Sequence, residues 1–108
     1  MPAYVVANVE IHDPEGYKAY TAETPASIAR HGGRFVARAG RTEVLEGDWP
    51  YSRLVILEFP TYEDARGWHE SAEYQRLKQI RHATATSLLV VVDGVPPNRT
   101  PPDGVPTR

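Results

Sequence analysis

Ser87-Leu88-Leu89-Val90-Val91-Val92-Asp93 sets five aliphatic residues in a row between two polar ones. The run is too short for a membrane span, and its β-branched content suits a strand whose two faces are both covered. Two other stretches have the same character. Tyr4 to Ile11 (YVVANVEI) and Ser52 to Phe59 (SRLVILEF) mix aromatic, leucine and β-branched residues. Successive strand residues point to opposite faces. Val5, Ala7 and Val9 therefore oppose Tyr4 and Val6; Val55, Leu57 and Phe59 oppose Leu54 and Ile56; Leu89 and Val91 oppose Leu88, Val90 and Val92. Every one of these strands is apolar on both sides.

Between the strands lie helix signals. Asp13-Pro14-Glu15 offers an acceptor for free amides, a proline suited to the first helical position and an acid near the positive helix end. A first helix starts there, with Tyr17, Tyr20 and Ile28 on one stripe, and ends at Gly32-Gly33. Pro25 predicts a kink or a restart capped by Thr24. Arg34 to Glu46 reads as a strand broken around Ala39-Gly40, a position that suits a bulge. Gly47-Asp48-Trp49-Pro50 turns it into the Ser52–Phe59 strand as a hairpin. Pro60-Thr61 ends that strand and caps a second helix carrying Ala65 and Trp68. Ser71 caps a further helical piece with Tyr74, Leu77 and Ile80 or Arg81 on one side, so this helix is expected bent or split.

With 108 residues the chain builds one core, and 41% hydrophobic with 24% charged residues marks it as globular rather than disordered or fibrous. Net charge is −2 with scattered basic residues, which provides no footprint for nucleic acid. The chain has no cysteine, so disulfides, thiolate nucleophiles and sulfur-bound zinc fall away. Met1-Pro2-Ala3-Tyr4 has no basic, apolar leader pattern, and the expected setting is the cytoplasm, away from membranes. Gly94 to Arg108 holds five prolines and no periodic pattern. The expected organisation is a domain over 1–95 and a proline-rich tail or arm over 96–108.

The order βαββαβ with right-handed crossovers leaves few topologies, of which the split βαβ, ferredoxin-like arrangement is the commonest. The fold class is α+β, an antiparallel sheet with both helices on one face. The other face is then bare although it is apolar. A second copy packed sheet to sheet is the economical cover, because a two-fold axis lets one surface serve both chains.

Several motifs agree with this reading in order along the chain: Asp13-Pro14-Glu15-Gly16-Tyr17 with Tyr20, His31-Gly32-Gly33-Arg34-Phe35, Leu45-Glu46-Gly47-Asp48-Trp49, Leu57-Glu58-Phe59-Pro60, Ala65-Arg66-Gly67-Trp68, and Glu70-Ser71-Ala72-Glu73-Tyr74-Gln75 followed by Arg81. Together they resemble the domain-of-unknown-function family DUF1330, over Ala3 to about Val95. The resemblance implies the ferredoxin-like fold and a homodimer whose two sheets form an α/β barrel. Its wider superfamily includes cofactor-free monooxygenases, a lactone isomerase and haem enzymes, so the fold alone names no reaction. His69 and Glu70 stand where the family pattern has an aromatic residue and an aspartate, and no role is carried to them.

The residues themselves offer one candidate pocket. Glu58 follows Leu54 and Ile56 on one strand face, where a carboxylate acts as a base or ligand anchor unless it is paired, with Arg34 or Arg53 the available partners. Asn8 and Glu10 lie on a neighbouring strand, positioned for a polar cluster with it or for a structural hydrogen-bond network. Tyr17, Tyr20, Trp68 and Tyr74 on the helices are able to line an aromatic pocket or simply to pack with satisfied polar tips. Arg34 and Arg81 suit a carboxylate clamp, or the tying of a helix end to a strand. The candidate ligand-binding set is Tyr17, Arg34, Glu58, Trp68 and Tyr74, with Glu58 the catalytic candidate. No metal and no cofactor is expected. The four histidines lack metal spacing except for His69 and Glu73, four apart, and the Ser71 cap falls between them. His31 suits a helix C-terminus.

Three functions follow: a module binding a small organic molecule between sheet and helices, a cofactor-free enzyme of monooxygenase, isomerase or lyase type acting on an aromatic or carbonyl compound, and a structural dimer without ligand.

Overall fold

The computed structural model describes residues 1–96. Of the expected proline-rich tail over 96–108, residues 97–108 lie outside the described residues. Seven elements follow in the order β1 (Ala3–Ile11), α1 (Pro14–Ala29), β2 (Arg34–Arg38), β3 (Arg53–Phe59), α2 (Tyr62–Glu70), α3 (Ala72–Thr84) and β4 (Ala85–Asp93). The strands form one antiparallel sheet in the order β2-β3-β1-β4. This is the α+β, ferredoxin-like arrangement, with the second helix of the repeat divided in two.

Each helix begins where a side chain takes over a free amide. Asp13 accepts the Gly16 amide at 3.1 Å, Thr61 that of Asp64 at 3.0 Å, and Ser71 that of Tyr74 at 3.1 Å. Ser71 has extended backbone (φ −65°, ψ 150°), and there the second helix divides into α2 and α3. At the end of α1 the Gly32 backbone has φ +77°, and the Gly33 amide donates to the Ile28 carbonyl. Gly33 also allows a close approach, because a Cβ built there would stand 2.5 Å from the Phe59 ring.

Two expectations are corrected. Helix α1 runs unbroken through Pro25. Proline deletes one ladder bond, while Tyr20, Thr24, Ser27 and Ile28 on both sides of it are buried, and the Thr24 hydroxyl donates back to the Tyr20 carbonyl at 2.5 Å. Packing holds both halves on the sheet. Strand β2 stops at Arg38 instead of continuing to Glu46, because Ala39 turns into the left-handed region (φ 55°). Its amide makes a last bond to the Leu54 carbonyl at 2.9 Å, and the chain then leaves the sheet as an exposed arm that returns at Arg53. The bulge lies at Val36, between the pairs Phe35↔Leu57 and Ala37↔Ile56.

All three helices cover the same face of the sheet, and the core lies between: Val5, Val9, Leu57 and Phe59 from strands meet Tyr20, Ile28, Trp68, Tyr74 and Leu77 from helices. The opposite face is uncovered. Leu88, Val90 and Val92 are 56%, 59% and 49% exposed there, in alternation with their inward neighbours.

Candidate functional site

Beneath α1 the sheet and helices part to leave a narrow cleft of about 50 Å³, open at one side. Tyr17 and Tyr20 from α1, Trp68 from α2 and Phe35 from β2 supply aromatic walls, and Val5, Val55 and Leu89 an aliphatic floor. Tyr17 and Tyr20 are one turn apart on the helix, so their rings lie 5.2 Å apart, centroid to centroid. Trp68 is fixed from behind: its indole N–H donates to the Ser27 hydroxyl at 3.1 Å, and that hydroxyl donates to the Thr24 carbonyl at 2.7 Å.

The charged groups in this lining are three arginines, Arg38, Arg53 and Arg81, and no carboxylate or imidazole is among the described residues that line it. Arg81 is 4% exposed. Its Nε donates to the Tyr74 hydroxyl at 3.2 Å, and a terminal nitrogen donates to the Ser87 hydroxyl. Its place in the last turn of α3 sets the cation against free helix carbonyls. Arg53 reaches the same space from the start of β3, its guanidinium 5.8 Å from the Tyr17 ring centre. Its Nε is buried and has no hydrogen-bond partner. Arg38 stacks 4.3 Å above the Phe35 ring at the exposed rim. None of the three pairs with a carboxylate among the described residues, although Arg30, Arg34, Arg66 and Arg76 all do.

Burial raises the Tyr17 phenol, and the nearby Arg53 and Arg81 charges pull it partly back. Burial raises Tyr20 further, with the Tyr74 hydroxyl adding to the effect. Both phenols are neutral near pH 7 and act as donors or acceptors. The arrangement can stack a flat molecule, donate to it and place positive charge beside it.

The expected residues divide between compartments. Tyr17 and Trp68 line the cleft. Tyr74 is fully buried behind it, 2.6 Å from Tyr20 oxygen to oxygen and 4.2 Å from the Trp68 ring, so it positions the wall and does not form it. Glu58 and Arg34 are not brought to the cleft. They pair with each other across β2 and β3 at 2.5 Å on the uncovered face, with the Tyr4 hydroxyl 3.4 Å from Glu58. The reason is strand alternation: Arg53, Val55, Leu57 and Phe59 point to the helices, and Leu54, Ile56 and Glu58 point away. That same parity was the signal for Arg53, whose odd number places it with the core residues.

Asn8 also faces away from the helices, but it joins no cluster with Glu58. Its side chain donates to the Tyr51 and Arg53 carbonyls at 2.9 and 3.1 Å and accepts the Tyr51 amide at 3.1 Å, pinning the returning arm to β1. His69 and Glu73 are separated by the break at Ser71, and Glu73 is held by Arg30. His31 bonds the Ser27 carbonyl one turn back at 3.1 Å. Along the uncovered face the arm and β3 frame a wide groove of about 720 Å³, lined by Glu10, Glu43, Glu46, Leu45, Trp49 and Leu54 among others. No helix of the described residues is long and apolar enough to cross a membrane.

The family model described as Domain of unknown function (DUF1330) matches residues 2–95. A search of curated proteins finds no match. Among solved structures, a protein of unknown function from Rhodopseudomonas palustris is similar, with TM-score 0.72 and 20% identity over 89% of this chain and 84% of that one. SnoaB, a cofactor-independent oxygenase from Streptomyces nogalater, gives TM-score 0.63 and 20% identity over 90% and 96%. A dimeric protein of unknown function with a ferredoxin-like fold from Bacteroides fragilis gives TM-score 0.51 and 13% identity over 86% and 96%. At these identities the likeness is one of fold.

Proposed function

The chain belongs to the DUF1330 family, and from that membership and the cleft's chemistry we propose a cytoplasmic homodimer that binds a small organic molecule between its sheet and helices. The observation that carries the binding reading is the pairing of aromatic walls with the buried Arg81 and the half-buried Arg53, neither of which has a carboxylate partner among the described residues. Arg81 ties the end of α3 to β4 through Ser87, but Arg53 keeps a buried Nε without an acceptor, and a buried donor costs stability unless something satisfies it. Packing alone would favour leucine there. Arg38 stands at the rim of the cleft, exposed and over the Phe35 ring.

The dimer reading rests on the uncovered face. Leu88, Val90, Val92 and Val36 are each more than 40% exposed, as are Val44, Leu45 and Trp49 on the arm. A large aliphatic side chain gains about 1.5–3 kcal/mol on burial, so covering this face contributes on the order of a domain's whole stability, about 5–15 kcal/mol. A second copy packed sheet to sheet does so, with each arm reaching over its partner. The Bacteroides fragilis protein of similar fold, described as dimeric, supports this. Glu58, Arg34 and Tyr4 then stand at the interface.

Catalysis is the second reading. SnoaB shares the fold and is a cofactor-independent oxygenase, which supports a cofactor-free reaction on an aromatic or carbonyl compound in the same cleft. The third, a dimer without ligand, leaves Arg53 unexplained. Native mass spectrometry of the purified protein tests these together. The expected species has twice the 12.0 kDa chain mass and carries a co-purifying organic molecule that is released on denaturation. A bare dimer would favour the structural reading, and a well-folded monomer would remove the sheet-to-sheet assembly. Oxygen uptake with hydroxyaromatic compounds and no added cofactor separates an oxygenase from a binder.

A further inference from the structure

The cleft's charge carries the reading one step further, to the class of its ligand. Arginine stays protonated throughout the physiological range, so a buried guanidinium cannot escape its desolvation cost by losing a proton, as a lysine can. It needs an anion or a full set of acceptors. Arg81 is 4% exposed, and its neighbours are two neutral hydroxyls, Tyr74 and Ser87. Arg53 keeps a buried Nε with no acceptor at all. Both line the same cleft, and Arg38 adds a third cation at its rim.

Four arginines outside the cleft, Arg30, Arg34, Arg66 and Arg76, each hold a glutamate. The chain has acids to spare, and it places none of those described in this lining. The wide groove under the arm is the inverse, with Glu10, Glu43 and Glu46 and no lysine or arginine in its lining. The positive charge of the cleft is therefore local to it.

The geometry points to a planar organic anion as the ligand, a carboxylate or enolate conjugated to an aromatic ring, with the anionic oxygens on Arg53 and Arg81 and the ring against Tyr17, Tyr20 and Trp68. This rests on the cleft being a binding site. The guanidinium fork matches two coplanar oxygens and returns an acceptor to the Arg53 Nε. The aromatic walls favour a flat body over a branched aliphatic one. The phenols of Tyr17 and Tyr20 are neutral near pH 7 and can donate to the anion without repelling it.

The probes are 1-naphthoate and its neutral isostere 1-naphthamide. The two tryptophans are Trp49 on the arm and Trp68 in the cleft. In a W49F protein the remaining fluorescence comes from Trp68, and titration follows binding at the site itself. Naphthoate is expected to bind at least tenfold tighter than naphthamide, and R53Q is expected to remove that preference by weakening naphthoate at least tenfold more than naphthamide. R81Q serves as the second variant where it folds, with the same expectation. Equal affinity for acid and amide would overturn the anion assignment and leave the cleft as a binding site. Absence of any Trp68 response to either compound would overturn both. A preference for naphthoate that survives R53Q unchanged would place the anion elsewhere and end the assignment.

Discussion

The two faces of the sheet start from the same sequence pattern and end in opposite states. On the helix side Val5, Val9, Leu57 and Phe59 are at most 5% exposed, because α1, α2 and α3 lie over them. On the other side Leu88, Val90 and Val92 of the edge strand β4 remain about half exposed, with equally apolar side chains in the same sheet. Apolar alternation therefore says that a face will be covered and is silent on whether the cover comes from the same chain. The polar residues carry the distinction. The helix side lines a cleft with arginines and no acids, one of them, Arg81, buried, whereas the open side sets Glu58 against Arg34 and pins its arm with Asn8.

The largest expected effect lies on the helix side. Trp68 is 1% exposed and touches both Phe59 and Tyr74, with ring centroids 5.5 and 4.2 Å away. Trp68→Ala deletes that contact and leaves the Ser27 hydroxyl without its donor, at a cost of about 3–5 kcal/mol. Chemical denaturation should show most of the stability gone. A loss under about 1 kcal/mol would mean that the helices do not close this face as tightly as the burial implies.

On the open side the same logic acts on assembly instead of folding. Val90→Glu puts a charge in the middle of β4's exposed row, and an unpaired charge buried at a partner sheet costs several kcal/mol. Sedimentation equilibrium at micromolar concentration should give a dimer for the parent chain and a folded monomer for the variant, the association weakening at least 100-fold. A variant that unfolds instead of dissociating would show that Val90 is needed within one chain. A parent chain that is itself monomeric would break the comparison outright.

How far the two faces were legible in advance follows from the same physics. The order of elements and all three helix starts were readable, since period-2 apolar runs and Asp13, Thr61 and Ser71 caps are local signals. The unbroken α1 was not: Pro25 is a local breaker, and the tertiary contacts of Tyr20, Thr24 and Ile28 that override it belong to no local window. The length of β2 was missed because Ala39 gives no warning of a positive φ. For the site, Tyr17, Trp68 and Arg81 were singled out in advance, while Glu58 and Arg34 were grouped with them across the sheet. Counting parity along β3 would have exchanged Glu58 for Arg53. The cleft itself depends on how helices seat over a sheet, which no spacing rule reports.

A smaller effect tests where Glu58 acts. In a single chain its pair with Arg34 is partly hydrated, with Arg34 70% exposed, and such pairs contribute about 0–1 kcal/mol. Glu58→Gln in the Val90→Glu monomer should therefore shift the midpoint of denaturation little. In the dimer the same change should weaken association measurably, since the partner sheet removes water from Arg34. Ligand binding in the cleft should be unaffected in either background, because the side chain points away from it. A loss of Trp68-reported binding on Glu58→Gln would reconnect the two faces and contradict the parity that separates them.

The smallest effect concerns acid. His69 stands at the end of α2 beside Trp68 and Tyr74, its ring 6.2 and 5.5 Å from theirs. Burial first, then the charges of Lys78 and Arg81, hold its protonation below the usual histidine range, with Glu70 pulling weakly the other way and Arg66 adding to the depression. A histidine depressed in the folded state favours the fold in its neutral form. That stability is complete above the unfolded value of about 6.5 and is lost as pH falls from there through the lower folded value. The ring is only partly buried, so solvent screening keeps the change small, a fall in Tm of about 4 °C or less between pH 7 and pH 5, corresponding to under about 1 kcal/mol. His82 is depressed in the same direction and adds to the slope, so the informative quantity is the difference that His69→Gln makes. That variant should flatten part of the acid slope in the Val90→Glu monomer as well as in the dimer, because His69 belongs to the helix layer and no histidine lies within β1, β3 or β4. An acid slope that disappears on making the monomer, with His69 intact, would instead assign the sensitivity to the interface between sheets.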